Sequence, residues 1–368
     1  MEQNGTILIC PLNWGLGHVS RDIPIIRRLL DKNFRVIVAG GKVITDLICS
    51  EFPEIETELL PDVEITYSIS DNQTIILLRQ LPKAVFSLFR EKRVTARLVK
   101  KYNPKLIISD NRYAVRHRKV KSIIITHHLM LKMPKKLEWL EKATNMLIKR
   151  LVSKFDLCWI PDNPLPYSLA GDIVHKYPLP KNARLIGPIS SFMDDYLQNH
   201  PKNDFFNKEN KYDLLAIISG PEPQRSLLQM LLLINLSLQN IKCLVVTGTF
   251  EEFLKPDFTA NITLLPHLDA CSLAHYIKNT PIVVSRAGYS TIMDLWFLRK
   301  NAILIPTPGQ TEQEYLAQKS QLMNHFFLEQ SQIDKFNFTQ HTINENNNTQ
   351  SFYQENLLDK NINEILNR

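Results

Sequence analysis

The chain has 368 residues, of which 44% are hydrophobic and 22% are charged, and both values are ordinary for a globular protein. This length exceeds what one hydrophobic core usually holds and favours two domains of about 150–200 residues each. No run of ~18 uncharged apolar residues occurs, so no membrane-spanning helix is predicted. The first residues lack a signal-peptide pattern, and we expect a cytoplasmic protein. The five cysteines have no CxxC spacing, which indicates free thiols and no zinc site.

The net charge of +7 is unevenly distributed along the chain. Residues 79–156 contain 21 Lys or Arg but 5 Asp or Glu, so the remainder of the chain is acidic. A basic region of this kind predicts an anionic partner, either nucleic acid or an acidic lipid surface. We favour lipid over nucleic acid, because the basic residues are not interleaved with a series of stacking aromatic residues and no nucleic-acid-binding motif occurs.

In the first half of the chain, short β-branched runs alternate with amphipathic stretches of helical length. Strands are predicted at Thr6–Cys10, Arg35–Ala39, Lys105–Ser109, Ser122–Thr126, Asp156–Ile160 and Ala183–Ile186. Helices are predicted at His18–Leu30, Val43–Ser50, Lys83–Lys101 and Lys135–Lys154. This alternation is typical of a parallel sheet with crossover helices.

The second half repeats the pattern. Strands are predicted at Asp213–Ser219, Lys242–Thr247, Ile262–Leu265, Pro281–Ser285 and Ala302–Pro306. Helices are predicted at Gln224–Leu238, Ser290–Leu298 and Glu312–Phe327. The fold class is therefore α/β, with two doubly wound, Rossmann-like domains that we expect to face a cleft.

Composition indicates where the domains begin and end. The first domain is predicted to span residues 1–188, and a polar linker follows over 189–211. The second domain covers 212–335. Residues 336–368 are rich in Asn, Gln and Thr and are predicted to form a loose tail, from which the amphipathic segment Leu357–Leu366 docks back on the body.

A glycine-rich turn, Gly15-Leu16-Gly17-His18, follows the first predicted strand. Such a turn lets the backbone approach a ligand and directs helix N–H groups at it. Ser20 stands where a dinucleotide fingerprint requires its third glycine, so this motif is weak evidence for NAD binding. A tight turn with His18 as a helix-start residue is the structural alternative. The functional interpretation depends on an imidazole at the carboxyl edge of a sheet, where doubly wound folds bind ligands.

Two strand-to-helix junctions in the second half carry a richer set of polar residues. Ser285-Arg286-Ala287-Gly288 ends one strand, and Asp294 lies in the second turn of the helix that follows. Thr307-Pro308-Gly309-Gln310 leads into the next helix. One junction offers helix N–H groups for phosphates, and the other offers amide and carboxylate groups for hydroxyls. A sugar nucleotide requires this combination.

The stretch from Val283 to Ala317 resembles the C-terminal domain of the MurG-type N-acetylglucosaminyltransferases, which are glycosyltransferase family 28 enzymes of the GT-B fold. The family positions matched at their spacing are Arg286, Gly288, Thr291, Gln313 and Tyr315. The Gly15–His18 turn is similar to the family's first glycine loop. The resemblance implies a donor such as UDP-GlcNAc, with Gly288 against the diphosphate, Asp294 on the ribose hydroxyls and Gln313 on the sugar.

The complete set of donor-binding residues predicted on these grounds lies in the second domain. It consists of Ser219, Gly220, Arg225, Arg286, Gly288, Tyr289, Ser290, Asp294, Gln310 and Gln313. Ser219 to Arg225 replaces the family's glycine-rich loop, and we expect Arg225 to pair with phosphate, although a proline-stiffened turn is the alternative. In the first domain the family's second glycine loop is absent. Gly15, Gly17, Asn111 and Arg112 are predicted to line the acceptor side.

The mechanism predicted from this set is inverting transfer without a metal, because no Asp-x-Asp motif is present to hold a divalent ion. A base must deprotonate the acceptor hydroxyl. His18 is the first candidate, Asp110 the second and His127 the third. We expect no cofactor besides the UDP-sugar substrate, and an acceptor that is lipid-linked or a glycan.

Two other functions use the same fold and donor. A UDP-GlcNAc 2-epimerase would need further acid–base carboxylates, and the loops of the first half supply few. A non-catalytic nucleotide-sugar-binding subunit is disfavoured because both domains occur in one chain. The basic region 79–156 includes a segment, Lys132 to Lys154, whose composition fits an interfacial helix on anionic lipid. An ordinary crossover helix with a solvated basic face is the alternative.

Overall fold

The computed structural model describes residues 4–13, 16–61, 73–193, 211–248, 261–340 and 356–366. The chain forms two compact units. The first comprises Met1–Ile65, Thr74–Ile189 and Phe352–Arg368, and the second comprises Thr66–Gln73 and Ser190–Ser351. No helix in the described ranges combines the length and apolar character needed to cross a membrane.

The first unit is a seven-stranded parallel sheet with helices between its strands. Its strands are β1 (Thr6–Cys10), β2 (Arg35–Gly40), β3 (Glu56–Leu59), β4 (Leu106–Asp110), β5 (Lys121–Ile125), β6 (Leu157–Ile160) and β7 (Ala183–Leu185). Its helices are α1 (Leu16–Asp31), α2 (Lys42–Glu51), α3 (Gln73–Tyr102), α4 (Leu140–Val152) and α5 (Asp172–His175). The strands β1, β4 and β5 are almost entirely buried, which explains why they read as continuous β-branched runs.

The second unit has a six-stranded parallel sheet. Its strands are β8 (Leu214–Ile217), β9 (Cys243–Val246), β10 (Ile262–Leu265), β11 (Ile282–Ser285), β12 (Ile303–Leu304) and β13 (Phe326–Phe327). Its helices are α6 (Gln224–Ser237), α7 (Ala270–Asn279), α8 (Tyr289–Leu298) and α9 (Thr311–Ser320). A buried core formed by α6 and the sheet extends to Ile333 and Phe338. Ile333 lies just before the segment predicted from composition to be a tail, and Phe338 lies within it.

The strand order places one switch point in each unit. The first sheet runs β3-β2-β1-β4-β5-β6-β7 and the second runs β10-β9-β8-β11-β12-β13. In each sheet, the direction in which successive strands are added reverses between two neighbouring central strands. These strands are β1 and β4 in the first sheet and β8 and β11 in the second. Doubly wound sheets bind ligands outside the carboxyl ends of such a pair of strands.

The C-terminal helix, α10 (Leu357–Leu366), packs on the first unit. Leu358 and Ile362 are buried, and Arg28 Nε donates a hydrogen bond to Asp359 Oδ1 at 2.6 Å. The amphipathic segment recognised in the sequence is therefore a helix that returns to the N-terminal unit. Residues 190–193, assigned to the linker by composition, pack in the second unit, where Phe192 is buried.

Two predicted helices have different limits in the structure, and one strand was not predicted. The helix predicted over Glu312–Phe327 is wrong beyond Ser320, because Asn324 adopts a left-handed φ of 64° and the chain continues as strand β13 beside β12. The helix predicted from Lys135 begins at Leu140, after a short 3-10 turn at Lys135–Leu137. The charged edge strand β3 has no apolar run, so its sequence does not reveal it.

Candidate functional site

The first candidate site lies at the switch point of the N-terminal unit. Strand β4 ends at Asp110, and α1 begins after the neighbouring strand β1. His18 lies in the first turn of α1, and its Nδ1 is 3.0 Å from Asp110 Oδ2. The structure therefore brings together two of the three residues predicted as bases, which are 92 positions apart in the chain.

Arg21, one turn further along α1, completes a buried cluster with these two residues. Its Nε donates to Asp110 Oδ2 at 2.9 Å, and its Nη2 donates to Asp110 Oδ1. The same Nη2 lies 2.8 Å from His18 Nδ1. Asp110 is fully buried and Arg21 is 2% exposed. Arg21 is not among the site residues predicted from the sequence. Its spacing could have indicated it, because residues three positions apart on a helix are neighbours on its surface.

The electrostatics of the cluster give each group a definite state near neutral pH. Burial raises the pKa of Asp110, but Arg21 and His18 outweigh burial and bring it to about 2. Burial lowers the pKa of His18, Asp110 acts against this, and Arg21 lowers the pKa further. Asp110 is therefore a carboxylate and His18 is an unprotonated imidazole, which can accept a proton.

Asp22 is a second buried carboxyl group beside this cluster. Neither of its oxygens has a hydrogen-bond partner among the described residues, and the side chain is fully buried. Burial raises the pKa of Asp22 well above its usual range, and the charge of Asp110 adds to this effect. Burial without a hydrogen-bond partner therefore favours the protonated, uncharged form of Asp22.

The other predicted residues of this unit have different surroundings. His127, the third candidate base, follows β5 and is 3% exposed, with its ring centroid 4.0 Å from that of His128. Asn111 has a φ of 56°, and its Oδ1 accepts a hydrogen bond from Thr126 Oγ1 at 3.0 Å. The carbonyl of Gly17 accepts from Ser20 Oγ at 3.1 Å. Gly15 lies outside the described residues.

Arg112 has a structural role that its position after β4 did not predict. The side chain is 1% exposed, and its Nε donates to Pro11 O at 2.7 Å. Its Nη1 donates to Glu91 Oε1 at 2.7 Å and to Pro61 O at 3.1 Å. These contacts fix the loop after β1 and the loop after β3. That Arg112 lines the acceptor side stays a prediction.

The second candidate site lies at the switch point of the C-terminal unit, where Ser285 of β11 pairs with Ile217 of β8. Ser219 and Gly220 follow β8, and Gly220 has a φ of 109° with open space around the position of a Cβ. Gly288 caps the start of α8, and Tyr289 and Ser290 form its first turn. The first N–H groups of a helix have no acceptor within the helix, and the helix dipole makes such an end favourable for an anion.

Arg286 lies at the same edge but is 1% exposed. Its Nη2 donates to Gln224 O at 2.8 Å and its Nη1 donates to Pro306 O at 3.1 Å. Burial lowers the pKa of Arg286 to about 10, and no carboxylate among the described residues neutralises it. The guanidinium therefore links the loops after β8 and β12 and leaves a positive field at the carboxyl edge.

Arg225 is engaged by a neighbouring carboxylate. Its Nε donates to Glu222 Oε1 at 2.8 Å, and Ser226 N donates to Glu222 Oε2 at 3.3 Å. The two charges meet because they are three residues apart at the start of α6. The prediction that Arg225 pairs with phosphate is therefore not supported by this arrangement.

Asp294, predicted to hold the ribose, is in the second turn of α8. Ser190 Oγ donates a hydrogen bond to Asp294 Oδ1 at 2.5 Å. Burial raises the pKa of Asp294 to about 7, against the opposing effect of this hydrogen bond. The carboxyl group is thus half ionised near neutral pH, and its capacity to accept hydrogen bonds depends on pH.

The loop before α9 is held by two side chains from the first turn of that helix. Gln313 Oε1 accepts from Thr307 N at 2.9 Å, and Glu314 Oε1 accepts from Gly309 N at 3.0 Å. Gln310 is the cap of α9. Gln313 was predicted as a sugar contact, whereas the loop-holding role of Glu314 was not foreseen from the sequence.

Comparisons with known proteins agree with this architecture. Residues 224–357 match the model of the Glycosyltransferase family 28 C-terminal domain. An uncharacterized glycosyltransferase of Methanopyrus kandleri is 20% identical over 74% of this chain and 77% of its own length. A UDP-N-acetylglucosamine--N-acetylmuramyl-(pentapeptide) pyrophosphoryl-undecaprenol N-acetylglucosamine transferase of Amoebophilus asiaticus is 26% identical, but over 34% of this chain and 36% of its own length.

Two solved structures share the fold. Arabidopsis thaliana UGT89C1, in complex with UDP-L-rhamnose, has a TM-score of 0.62 with 11% identity and covers 100% of this chain and 99% of its own. Acinetobacter baumannii MurG has a TM-score of 0.50 with 11% identity, over 99% of this chain and 94% of its own.

The chain is a glycosyltransferase with the two Rossmann-like units of the GT-B fold. Residues 224–357 match the family 28 C-terminal domain, and over about a third of its length the chain is similar, at 26% identity, to a MurG-type transferase.

The ionisation state of Asp22 can be tested through protein stability. A carboxyl whose pKa is raised by folding contributes stability that is complete below the unfolded pKa of about 3.9 and is lost as pH rises towards the folded pKa. Asp22→Asn cannot ionise, so we expect it to lose less stability than the native protein between pH 4 and pH 8 and to have the higher melting temperature at pH 8. Thermal unfolding measured from pH 4 to pH 8 provides the comparison.

The difference in melting temperature between Asp22→Asn and the native protein should disappear near pH 4. Asp31→Asn, an exposed substitution at the end of the same helix, controls for the loss of one carboxyl group from α1. If the difference in melting temperature between Asp22→Asn and the native protein is the same at pH 4 and pH 8, it reflects packing rather than ionisation. That result would contradict a raised pKa of Asp22.

Proposed function

We propose that this glycosyltransferase moves a GlcNAc-like sugar from a UDP-sugar to a lipid-linked or cell-envelope acceptor, with inversion and with His18 as the base. The observation that carries the proposal is the contact between His18 and the buried carboxylate of Asp110, with His18 Nδ1 3.0 Å from Asp110 Oδ2. Burial lowers the pKa of His18, and Arg21 and His18 lower the pKa of Asp110. A base of this kind is needed to activate a sugar or lipid hydroxyl. The name of the Amoebophilus asiaticus relative supports the choice of sugar and acceptor.

In the proposed reaction, the acceptor oxygen attacks the anomeric carbon while the bond from that carbon to the UDP oxygen breaks. The hydroxyl proton moves to His18 Nε2. Asp110 then accepts a hydrogen bond from Nδ1–H of the resulting imidazolium, which stabilises the positive charge. UDP leaves with the negative charge of the broken bond, so that atoms and charge balance.

The donor is assigned to the second unit. The N–H groups at the start of α8 and the field of Arg286 suit the diphosphate, and Asp294 suits the ribose hydroxyls. The complex of UGT89C1 with UDP-L-rhamnose is a precedent for a uridine donor in this fold. We expect the leaving diphosphate to be stabilised by these groups without a divalent metal.

The first prediction of this proposal concerns donor binding. UDP should raise the melting temperature of the native protein in proportion to the logarithm of its concentration over Kd. Asp294→Ala should weaken UDP binding by roughly 10- to 100-fold, the value of a hydrogen bond to a charged group. Asp334→Ala, an exposed carboxylate of the same unit, is the matched control and should bind UDP normally.

The pH dependence of donor binding gives a sharper test. Only the ionised Asp294 accepts hydrogen bonds from both ribose hydroxyls, so UDP affinity should rise with pH through about 7. Below that pH the apparent Kd should increase by up to about tenfold per pH unit. A pH-independent Kd, or stabilisation of Asp294→Ala equal to that of the native protein, would remove Asp294 from the donor site.

The second prediction concerns transfer. With UDP-GlcNAc and a polyprenyl-diphosphate-linked sugar acceptor, the native protein should release UDP and glycosylate the acceptor in the presence of EDTA. His18→Ala should lower kcat by about 10²–10⁴-fold, the usual contribution of a general base. His175→Ala is the matched control, because His175 also contacts a buried carboxylate, with Nε2 3.2 Å from Asp162 Oδ2.

Two results would contradict this part of the proposal. Full transfer activity in His18→Ala would show that another group is the base. Loss of activity on EDTA treatment, restored by a divalent ion, would overturn metal independence. Formation of UDP-ManNAc without an acceptor would instead identify an epimerase reaction.

The acceptor proposal includes a peripheral position on the cytoplasmic face of a membrane. Helix α4 buries Ile148 and Val152 but leaves Met146 and Leu147 about 60% exposed, and Trp139 just before it is 72% exposed. The basic residues of this surface are Lys135, Lys136, Lys142, Lys149 and Arg150. Exposed apolar side chains among cations match an anionic lipid surface.

The third prediction tests this surface with lipid vesicles. The protein should sediment with vesicles containing phosphatidylglycerol and should bind them less at high salt. The double variant Met146→Glu with Leu147→Glu should bind several-fold less. The matched control is Met230→Glu with Ile234→Glu on α6, where the two apolar residues are equally exposed. Equal vesicle binding by both double variants would exclude α4 as the lipid contact.

A further inference from the structure

Nδ1 of His18 has two charged neighbours of opposite sign. Arg21 Nη2 lies 2.8 Å away, and Asp110 Oδ2 lies 3.0 Å away. Both neighbours are buried and bound to each other, so neither can turn away to solvent. A simple histidine–carboxylate pair has only the second neighbour, so the presence of Arg21 changes what the pair can do.

The two neighbours favour different protonation states of the ring. A guanidinium only donates hydrogen bonds, and an ionised carboxylate only accepts them. Nδ1–H can donate to Asp110, and this tautomer leaves on Nε2 the lone pair that accepts the proton in the proposed reaction. Unprotonated Nδ1 can instead accept from Arg21, and Nε2 then carries the ring proton. Once the ring is an imidazolium, Asp110 attracts it and Arg21 repels it. Arg21 therefore opposes the tendency of Asp110 to keep His18 protonated.

We propose that Arg21 is a positioning residue for the reaction: it serves as the permanent counter-charge of Asp110 and thereby leaves His18 unprotonated and able to accept a proton. The inference rests on the proposed role of His18 as base. It goes beyond that role, since it assigns to Arg21 the task of setting the pH range in which the base is available.

The other titratable groups near the cluster do not replace Arg21 as the counter-charge of Asp110. The pKa of Asp22, on the same helix, is raised by burial and by the charge of Asp110, which favours its uncharged form. His128, from the loop after β5, acts in the same direction as Arg21 and lowers the pKa of His18. Cys10, at the end of β1, is a neutral thiol because burial raises its pKa to about 12. If Arg21 were absent, His18 would be the group among these that could supply a positive charge to the buried carboxylate of Asp110.

The test uses two substitutions of Arg21 in the full-length protein. Arg21→Gln removes the charge and keeps N–H donors for Asp110, and Arg21→Lys keeps the charge. We expect the acid limb of the profile of kcat/KM against pH to move to higher pH in Arg21→Gln, with activity on the acid side falling about tenfold for each unit of displacement. Arg21→Lys should keep the limb near its native position.

Arg28→Gln is the matched control. Arg28 lies on the same helix two turns further on and is partly buried against a carboxylate, Asp359. Its loss removes a more exposed ion pair of the same helix without touching His18, so the melting temperature should fall while the acid limb stays in place. A fall in melting temperature without a shift of the limb is therefore the signature of a purely structural role.

NMR titration of labelled histidine gives a readout that is independent of catalysis. The signal of His18 is identified by its loss in His18→Gln, and it should titrate at higher pH in Arg21→Gln than in the native protein. Should Arg21→Gln alone fail to fold, the double variant with Asp110→Asn removes both charges. In that variant His18 should titrate no higher than in the native protein, because its attracting carboxylate is gone.

The outcomes separate this inference from the proposed function. If His18→Ala retains full transfer activity, His18 is not the base and the proposed function fails at that point. If His18→Ala is inactive but Arg21→Gln keeps the native acid limb and the native His18 titration, the inference about Arg21 is overturned. A raised His18 titration in the double variant would also overturn it, since no carboxylate would then cause the rise.

Discussion

The N-terminal unit depends on one buried ion pair, between Arg21 of α1 and Asp110 at the end of β4. The pair joins the first helix to the strand beside the switch point. The carboxylate of Asp110 accepts hydrogen bonds from two N–H groups of Arg21. Burying such a pair is costly, and removal of one partner commonly destabilises a protein by about 3–5 kcal/mol. Its placement fixes the geometry of His18, because the histidine is one turn from Arg21 on the same helix.

Each unit has a buried arginine at its switch point, but the two arginines are compensated in different ways. Arg21 is neutralised by a carboxylate, whereas Arg286 is bound by backbone carbonyl groups and stays a net positive charge. A neutral cluster with an unprotonated imidazole is suited to proton transfer. A fixed positive field beside a helix N-terminus is suited to a diphosphate. The division of roles in the proposed function follows this difference in charge.

Much of the fold could be predicted from the sequence, because buried parallel strands appear as short β-branched runs. The limits of β1 and β10 agree with the prediction, those of β4 are shifted by one residue at both ends, and β11 begins one residue later than predicted. The failures occurred where the pattern is absent. Strand β3 is a charged edge strand, and α7 has a clear cap, since Asp269 accepts from Ser272 N, yet its apolar spacing is modest.

The sequence by itself determined two doubly wound sheets and the family 28 resemblance of the C-terminal half, because strand patterns and loop motifs are local. It also predicted site residues at His18, Asp110 and Asp294. Only the tertiary structure decided which charges meet. Arg21 and Asp110 are 89 positions apart, and their contact exists because β1 and β4 are neighbours in the sheet. Likewise, Glu222 engages Arg225, and Arg112 supports two loops. Burial and partner choice are properties of the packed chain, so the ionisation of His18, Asp22 and Asp294 could not be derived from sequence spacing.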